Sequence, residues 1–215
     1  LLRLVATHPV FRVVHAGSRT HGGREVSEVL PQLQGFYRGL RFAGVETGIP
    51  AEAAAVVLAA PHGAARTLWP EIVAGRPDLR VVDLSADFRL KDRAAFDAYY
   101  GGAHPSFDAA LDFVYGVPET NREAIRRARH VANPGCFATG AVLALAPLAE
   151  AGALRGDVCI AATTGSSGSG AEPKEGTHHP ERAQDMRAYK VLAHQHLPEI
   201  EQELRRISGG GLFEL

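Results

Sequence analysis

Unbroken apolar runs and stretches of helical spacing alternate along this chain. Strands are predicted for the unbroken runs, which lie at residues 11–16, 53–60, 79–84, 130–133 and 158–163. Helices are predicted where apolar positions recur every three or four residues, at 64–74 and 137–154. Runs without alternation are typical of strands buried on both faces of a parallel sheet. Because helices separate them, the pattern predicts a doubly wound α/β domain.

Polar and glycine-rich segments follow the predicted strands. In open α/β sheets, ligands bind beyond the carboxyl ends of the strands, so we expect the site in these segments. They are Gly17-Ser18-Arg19, Pro61-His62-Gly63, Ser85-Ala86-Asp87-Phe88-Arg89, Asn133-Pro134-Gly135-Cys136 and the glycine- and serine-rich residues 164–170.

Cys136 differs from the other cysteine because a Pro-Gly turn delivers it to the start of a predicted helix. Unpaired N–H groups and the helix dipole at such a position favour a thiolate, which is a good nucleophile and acyl carrier. The alternative is a buried cysteine that packs as a small apolar residue. We expect this second behaviour of Cys159, which lies inside the apolar run 158–163.

Composition and charge narrow the possible partners. The chain has 215 residues, of which 46% are hydrophobic and 7% aromatic, and its net charge is −1. This balance argues against nucleic acid and anionic membranes as partners, and no apolar run reaches the roughly 18 residues of a membrane span. Two cysteines without a pairing pattern indicate a reducing, cytoplasmic setting. Residues 1–5 already show helical spacing without an initiator Met, which predicts a segment of a longer protein.

Residues 131–140, with the sequence VANPGCFATG, closely resemble the active-site signature of the N-acetyl-γ-glutamyl-phosphate reductases. That family shares its fold and mechanism with the aspartate-semialdehyde dehydrogenases. The resemblance covers essentially the whole chain and extends through residues 61–63, 83–90, 115–119 and 194–200. It implies a Rossmann-like NADP-binding domain over 1–133, without its first strand and Gly-rich turn. It also implies that 134–215 form part of an α+β catalytic and dimerisation domain, whose C-terminal part is missing.

The predicted cofactor is NADP(H). The second strand of a Rossmann unit ends in an acidic residue when the ribose hydroxyls of NAD are bound. Here Ser18 and Arg19 follow that strand and form a donor pair suited to a 2′-phosphate; the alternative is a solvated arginine. The further cofactor residues that the resemblance implies are Pro61, His62, Gly63, Ser167, Gly168 and Gly170. By composition alone, residues 164–170 are also compatible with a flexible linker.

The resemblance implies that a histidine of the segment 194–200 is the acid/base partner of Cys136. We favour His196 for this role, and His194 remains open. Metal is not expected, because the histidines at 178, 179, 194 and 196 have no carboxylate or thiolate at ligand spacing.

Arg89 is the candidate for binding the phosphate or carboxylate of the substrate, because a guanidinium binds such anions through two parallel hydrogen bonds. The alternative is a salt bridge with Asp83 or Asp87. Asn133 and His178 complete the predicted substrate site.

The mechanism that follows from the resemblance begins when Cys136 attacks a γ-acyl phosphate and forms a thioester. Hydride from NADPH reduces the thioester, and a histidine then assists release of the semialdehyde. N-acetylglutamyl phosphate, from arginine biosynthesis, is the favoured substrate. The stretch 177–182 resembles relatives that reduce a carrier-linked aminoadipyl phosphate in lysine biosynthesis, and residues 171–174 lack the early basic residue of many arginine enzymes.

Two other classes of protein stay open at this point: a thiol hydrolase and a non-catalytic dinucleotide-binding module. A homo-oligomer, either a dimer or a tetramer, is expected of the full-length protein.

Overall fold

The structure is a computed structural model, and it describes residues 1–44, 47–170, 174–211 and 213–215. In chain order, the strands are β1 (Ala16–Gly17), β2 (Phe42–Ala43), β3 (Ala55–Leu58), β4 (Arg80–Asp83), β5 (Phe113–Tyr115), β6 (His130–Ala132), β7 (Gly156–Asp157) and β8 (Phe213–Glu214). The α-helices are α1 (Leu2–Val5), α2 (Val26–Val29), α3 (Ala64–Gly75), α4 (Arg93–Tyr99), α5 (Pro118–Arg127), α6 (Cys136–Glu150), α7 (His179–Arg182) and α8 (Leu197–Ser208). Short 3₁₀ helices occupy Pro31–Leu33, Phe107–Asp112, Ser166–Ser169 and Glu175–Thr177.

A four-stranded parallel sheet with the strand order β3-β4-β6-β5 forms the centre of the first part of the chain. Its register pairs Asp83 with both Leu58 and Ala132, and it pairs Ala132 with Tyr115. The four strands therefore end at the same edge, and the polar segments that follow them meet there. The predicted α/β class with a parallel sheet is confirmed.

Aromatic packing between α3 and the sheet forms the core beneath this edge. Trp69 of α3 lies 4.9 Å from the ring of Phe113 in β5, and Phe113 stacks on Phe88 at 4.3 Å. Such pairs contribute beyond the apolar area they bury. Phe88 lies in the segment after β4, so this core also holds that segment in place.

The helices α6 and α8 pack against each other and bury a second cluster, which includes Val142 and Leu204. α8 begins with Pro198 in its first turn, where a missing N–H costs nothing. It ends at Gly209, whose φ of 67° belongs to the left-handed region. The two helices thereby bring residues 135–137 beside residues 194–199.

The structure differs from the predicted strands in three places. Of residues 11–16, only Ala16 belongs to a strand, and residues 158–163 form none. A strand needs a neighbour that satisfies its backbone groups, and apolar runs carry no information about that neighbour. β5, which has three residues, was not predicted. Cys159 is exposed, so the expected burial of this cysteine is wrong.

Candidate active site

Cys136 is the first residue of α6, as predicted, and it is exposed. Gly135 precedes it as the N-cap residue in an extended conformation, and no side chain caps the helix. The free N–H groups of the first turn therefore face the surroundings of the thiol, where negative charge is favoured.

Gly135 is buried between the start of α6 and the start of α8. A Cβ atom at this position would lie 2.7 Å from Oε1 of Glu199, and closer still to the ring of His196. Real Cβ contacts are never this short, so only glycine fits here. The missing side chain lets His196 and Glu199 approach the residue next to the thiol.

His196 is a buried histidine at the N-terminus of α8. Its Nε2 lies 3.7 Å from Oε1 of Glu199, and its Nδ1 has no hydrogen-bond partner within the described ranges. Burial, together with His194 and Arg89, lowers the pKa of His196 to about 4. The imidazole is therefore neutral near pH 7 and can accept a proton.

His194 is half-buried, and its ring lies 4.6 Å from that of His196. Its Nδ1 accepts a hydrogen bond of 3.1 Å from the backbone N–H of His196. Burial and Lys190 lower the pKa of His194. Its ring also meets the rings of Phe137 and Tyr189, at 5.2 and 5.7 Å. The structure thus brings both predicted histidines to the Cys136 end of α6.

Glu199 joins three separate segments through one buried carboxylate, which has 0% exposure. It accepts hydrogen bonds from Tyr115 Oη (2.9 Å) and from the backbone N–H of Gly135 (3.2 Å), and it pairs with Arg89 (3.2 Å). Burial raises the pKa of this carboxyl, while Arg89 and the hydrogen bonds oppose the rise. Burial and the Glu199 charge raise the pKa of Tyr115, which therefore donates as a neutral phenol.

Arg89 is held by groups of the protein itself, and its contact with substrate stays a prediction. It is 4% exposed, and its guanidinium donates to the carbonyls of Asn133 (2.8 Å) and Leu84 (3.2 Å) besides pairing with Glu199. Its ion-pair partner is Glu199, rather than either aspartate considered from the sequence. The geometry makes Arg89 a support for the site.

Asn133 lies between the strand end and the cysteine turn. Its backbone N–H donates to the carbonyl of Asp83 (2.8 Å), and its side chain donates to the carbonyl of Pro134 (3.1 Å). Both contacts shape the turn that leads to Cys136. A direct contact of Asn133 with substrate stays a prediction.

The segment after β1 has donor groups that fit a phosphate. Ser18 Oγ accepts hydrogen bonds from the N–H groups of Thr20 (3.3 Å) and His21 (3.2 Å), which folds the segment into a turn. Arg19 is exposed in this turn. A hydroxyl and a guanidinium, with no acidic residue among 17–21, suit a 2′-phosphate better than ribose hydroxyls.

The N-terminus of α3 is satisfied from within the protein. Asp87 accepts hydrogen bonds from the N–H groups of Gly63 (2.8 Å) and Arg66 (3.0 Å). Gly63 is one of the predicted cofactor residues, and its backbone N–H already donates to Asp87. Pro61 and His62 are exposed beside it.

Ser167, Gly168 and Gly170 lie on an exposed segment that includes the 3₁₀ helix Ser166–Ser169, and His178 is exposed before α7. Within the described part of the chain, the side chains of Ser167 and His178 make no hydrogen bond to Cys136, His194 or His196. Their predicted roles stay predictions. The residues 171–173, whose sequence bears on the substrate, lie outside the described residues. The described residues contain no cluster of three or more potential metal ligands.

Three side chains of this site were not predicted: Tyr115, Glu199 and Tyr189. A tyrosine and a glutamate in ordinary secondary structure give no sign of burial until their distant partners are known. Tyr189 is recognised as part of the site only in the structure, where burial and the neighbouring Cys136 raise the pKa of its phenol.

Two family models match the chain. The model described as the semialdehyde dehydrogenase NAD-binding domain matches residues 1–128, and the model for the dimerisation domain matches residues 136–212. The chain belongs to the semialdehyde dehydrogenase family. A boundary at residues 133 and 134 stays a prediction.

Curated relatives carry a more specific name than the semialdehyde dehydrogenase family as a whole. N-acetyl-gamma-glutamyl-phosphate reductases from Marinobacter nauticus and Methanopyrus kandleri are 43% and 45% identical to the chain and match 99% and 96% of it. The same matches cover 61% and 60% of those proteins, so the chain spans about three fifths of their length.

Among solved structures, aspartate semialdehyde dehydrogenase II from Vibrio cholerae has the same fold as the chain. The TM-score is 0.51 at 18% identity, and the match covers 81% of this chain and 54% of that one. No helix among the described residues is long and apolar enough to cross a membrane.

Proposed function

We propose that the full-length protein is an NADPH-dependent reductase of N-acetyl-γ-glutamyl phosphate, with Cys136 as its nucleophile. The observation that carries the proposal is the placement of an exposed thiol and a buried neutral imidazole on either side of Gly135. The name shared by relatives at 42–45% identity supports this substrate over a carrier-linked aminoadipyl phosphate.

In the first step, the sulfur of Cys136 attacks the acyl carbon while its proton passes to His196. The carbon–oxygen bond to phosphate breaks, which leaves a thioester and releases inorganic phosphate. A neutral histidine is suited to this transfer because it accepts the proton without first losing one. Glu199, 3.7 Å from Nε2, stabilises the positive charge that forms on the ring.

In the second step, NADPH, when bound, supplies the hydride that reduces the thioester carbon. His196 returns its proton to the oxygen of the tetrahedral adduct that this reduction creates. His196 then takes the hydroxyl proton of the resulting thiohemiacetal, the carbon–sulfur bond breaks, and the aldehyde leaves. The proton passes to the thiolate, so both Cys136 and His196 return to their starting states.

Ser18 and Arg19 would hold the 2′-phosphate that distinguishes NADP from NAD. Their donor groups and the absence of an acidic residue from 17–21 support this assignment. The family model for an NAD-binding domain over residues 1–128 agrees with a nicotinamide cofactor.

A cytoplasmic homo-oligomer is the expected form of the full-length protein. Two cysteines that form no disulfide fit a reducing compartment. The match of residues 136–212 to a dimerisation domain supports self-association.

The reverse reaction of the full-length protein tests the function directly. We expect phosphate-dependent reduction of NADP with N-acetylglutamate semialdehyde, and much slower reduction with a carrier-linked aminoadipate semialdehyde. Cys136→Ser should lower the rate by at least about a thousandfold, because the hydroxyl is a far weaker nucleophile without further activation.

Cys159→Ser is the matched control, since Cys159 is also exposed and unpaired. It should retain the activity of the unaltered protein. Full activity of Cys136→Ser would exclude the thioester mechanism, and preference for the carrier-linked substrate would move the protein to lysine biosynthesis. Hydrolysis of a thioester without NADP dependence would instead favour a thiol hydrolase.

A further inference from the structure

Gln202 of α8 forms a pair of hydrogen bonds with the segment that follows β4. Its Oε1 accepts from the backbone N–H of Lys91 (2.8 Å), and its Nε2 donates to the backbone carbonyl of Arg89 (3.0 Å). One side-chain amide thus satisfies a backbone donor and a backbone acceptor two residues apart. Gln202 is half-buried, and the mechanism above does not use it.

We infer that Gln202 is a positioning residue for the reductase, acting through Arg89 on the environment of His196. The inference rests on the proposed function, since it assigns Gln202 to the same site. Gln202 touches neither the thiol nor the imidazole, so its effect is transmitted by the segment that it holds.

The geometry gives α8 two separate holds on Arg89. Residues 199 and 202 are three apart and lie on the same face of the helix. Glu199 pairs with the guanidinium, while Gln202 bonds to the backbone of the same residue. The guanidinium is also fixed by the carbonyls of Asn133 and Leu84, and the bond from Gln202 adds a hold on the backbone from which this side chain extends.

Lys91 fixes the other side of the same segment. Its Nζ donates to the backbone carbonyls of Ala110 and Phe113, so the side chain is directed toward β5. The backbone N–H of Lys91 depends on Gln202 alone within the part of the chain that the structure describes. Loss of Gln202 therefore leaves residues 89–91 tied to α8 only through the Arg89–Glu199 pair, while Lys91 still holds them to β5.

The consequence reaches His196 through charge. Arg89 is one of the positive groups that disfavour a proton on this ring. Groups from every neighbouring element face it: Glu199 on α8, Arg89 after β4, His62 after β3, His194 and Lys190 before α8, and Cys136 beside Gly135 on α6. Displacing Arg89 moves one positive charge away from the ring, so that a proton on the ring is less disfavoured. It also takes the ion-pair partner away from the Glu199 carboxylate, which the ring faces.

The test compares Gln202→Met in the full-length enzyme with Glu201→Gln. Methionine has nearly the size of glutamine but makes neither hydrogen bond. Glu201 lies next to Gln202 on α8, and its carboxylate pairs with Arg205 at the surface. We expect Gln202→Met to lower kcat about tenfold with KM within twofold, and Glu201→Gln to change neither.

A second measurement separates positioning from general weakening of the fold. In an Arg89→Lys background, Gln202→Met should lower kcat by less than twofold, because residues that act through one another are not additive. A further tenfold loss in that background would show independent effects and would overturn the inference. So would an unchanged kcat in folded Gln202→Met.

The pKa of His196, followed by NMR of the labelled imidazole, gives a readout that needs no turnover. In Gln202→Met the pKa of His196 should rise, because one opposing positive charge moves away while the burial stays, and in Glu201→Gln it should not move. If the unaltered enzyme fails to reduce NADP but this shift occurs, the proposed function fails and the positioning survives. An unmoved pKa in Gln202→Met overturns the positioning. Should Gln202→Met not fold, Gln202→Leu replaces it with the same expected changes, since leucine also makes neither hydrogen bond and adds no charge.

Discussion

At the scale of single residues, Gly135 separates Cys136, the proposed nucleophile, from His196, the proposed base. A side chain at this position would overlap the His196 ring and the Glu199 carboxylate, so the two helices would have to separate. Gly135→Ala should therefore cost about 1–3 kcal/mol in the free energy of unfolding, as overpacking does in a closed core. It should also lower kcat by more than tenfold, because the imidazole moves away from the thiol.

Gly140→Ala provides the comparison within the same helix. A Cβ atom at Gly140 meets nothing within 4 Å, and alanine is favoured over glycine inside a helix by roughly 0.5–1 kcal/mol. This variant should be slightly more stable and equally active. Chemical denaturation and steady-state kinetics measure both quantities, and equal behaviour of the two variants would refute the close-contact argument.

What the sequence can reveal about this site depends on the residue. Cys136 was predictable because a Pro-Gly turn before an apolar helix is a local signal. Glu199 was not, since its burial depends on Arg89 and Tyr115, which are 110 and 84 residues away in the chain. Arg89 was expected to bind a substrate anion, and in the structure it pairs with an internal carboxylate; its contact with substrate stays a prediction.

At the scale of elements, the capping of α3 ties a helix to the site. Asp87 bonds to the first N–H groups of α3 from a segment two dozen residues further along the chain, whereas Asp92 caps its own helix α4 through Ala94 N (2.8 Å). Either aspartate replaced by alanine should cost about 0.5–2 kcal/mol, the usual effect of a lost cap.

Activity should distinguish the two caps. Asp87 lies two residues before Arg89, so Asp87→Ala should also lower kcat several-fold, while Asp92→Ala should leave kcat unchanged. Thermal unfolding and kinetics of both variants provide the measurement. A loss of kcat in Asp92→Ala as large as in Asp87→Ala would mean that activity follows stability alone.

Strand prediction succeeded for three of the four strands of the parallel sheet, including β3 at its edge. β4 and β6 lie inside the sheet and match unbroken apolar runs, and β3 has the same kind of run. Residues 158–163 are equally apolar but pair with no strand within the described ranges. In this run apolar character predicted neither burial nor a strand, since residues 159–163 are exposed. A strand needs a partner for its backbone, which one segment cannot reveal.

At the scale of the whole molecule, buried histidines make stability depend on pH. Burial lowers the pKa of His104, His130, His194 and His196 in the folded protein. The unfolded chain, with histidine near 6.5, therefore binds protons first. Stability is fully present above about pH 6.5 and falls as the pH decreases toward 4, because stability rises with pH wherever the unfolded state holds more protons.

The melting temperature of the full-length protein should accordingly drop between pH 7.5 and pH 5. His104→Gln tests the assignment, since His104 is buried among aromatic rings and bonds to the carbonyl of Asp87 (2.7 Å). The variant should show a weaker dependence of melting temperature on pH over that range. An identical dependence in both proteins would exclude His104 as a contributor.

The contacts of Glu199 also determine when the site can assemble during translation of the chain. Cys136 leaves the ribosome 63 residues before Glu199 (199 − 136), which at roughly 5–20 residues per second means several seconds. During that time α8 has not yet been made. Arg89, the turn at Gly135 and the thiol of Cys136 therefore lack the carboxylate of Glu199. The nascent chain thus carries the proposed nucleophile in an unassembled site, and the proposed reductase becomes competent only after translation has passed α8.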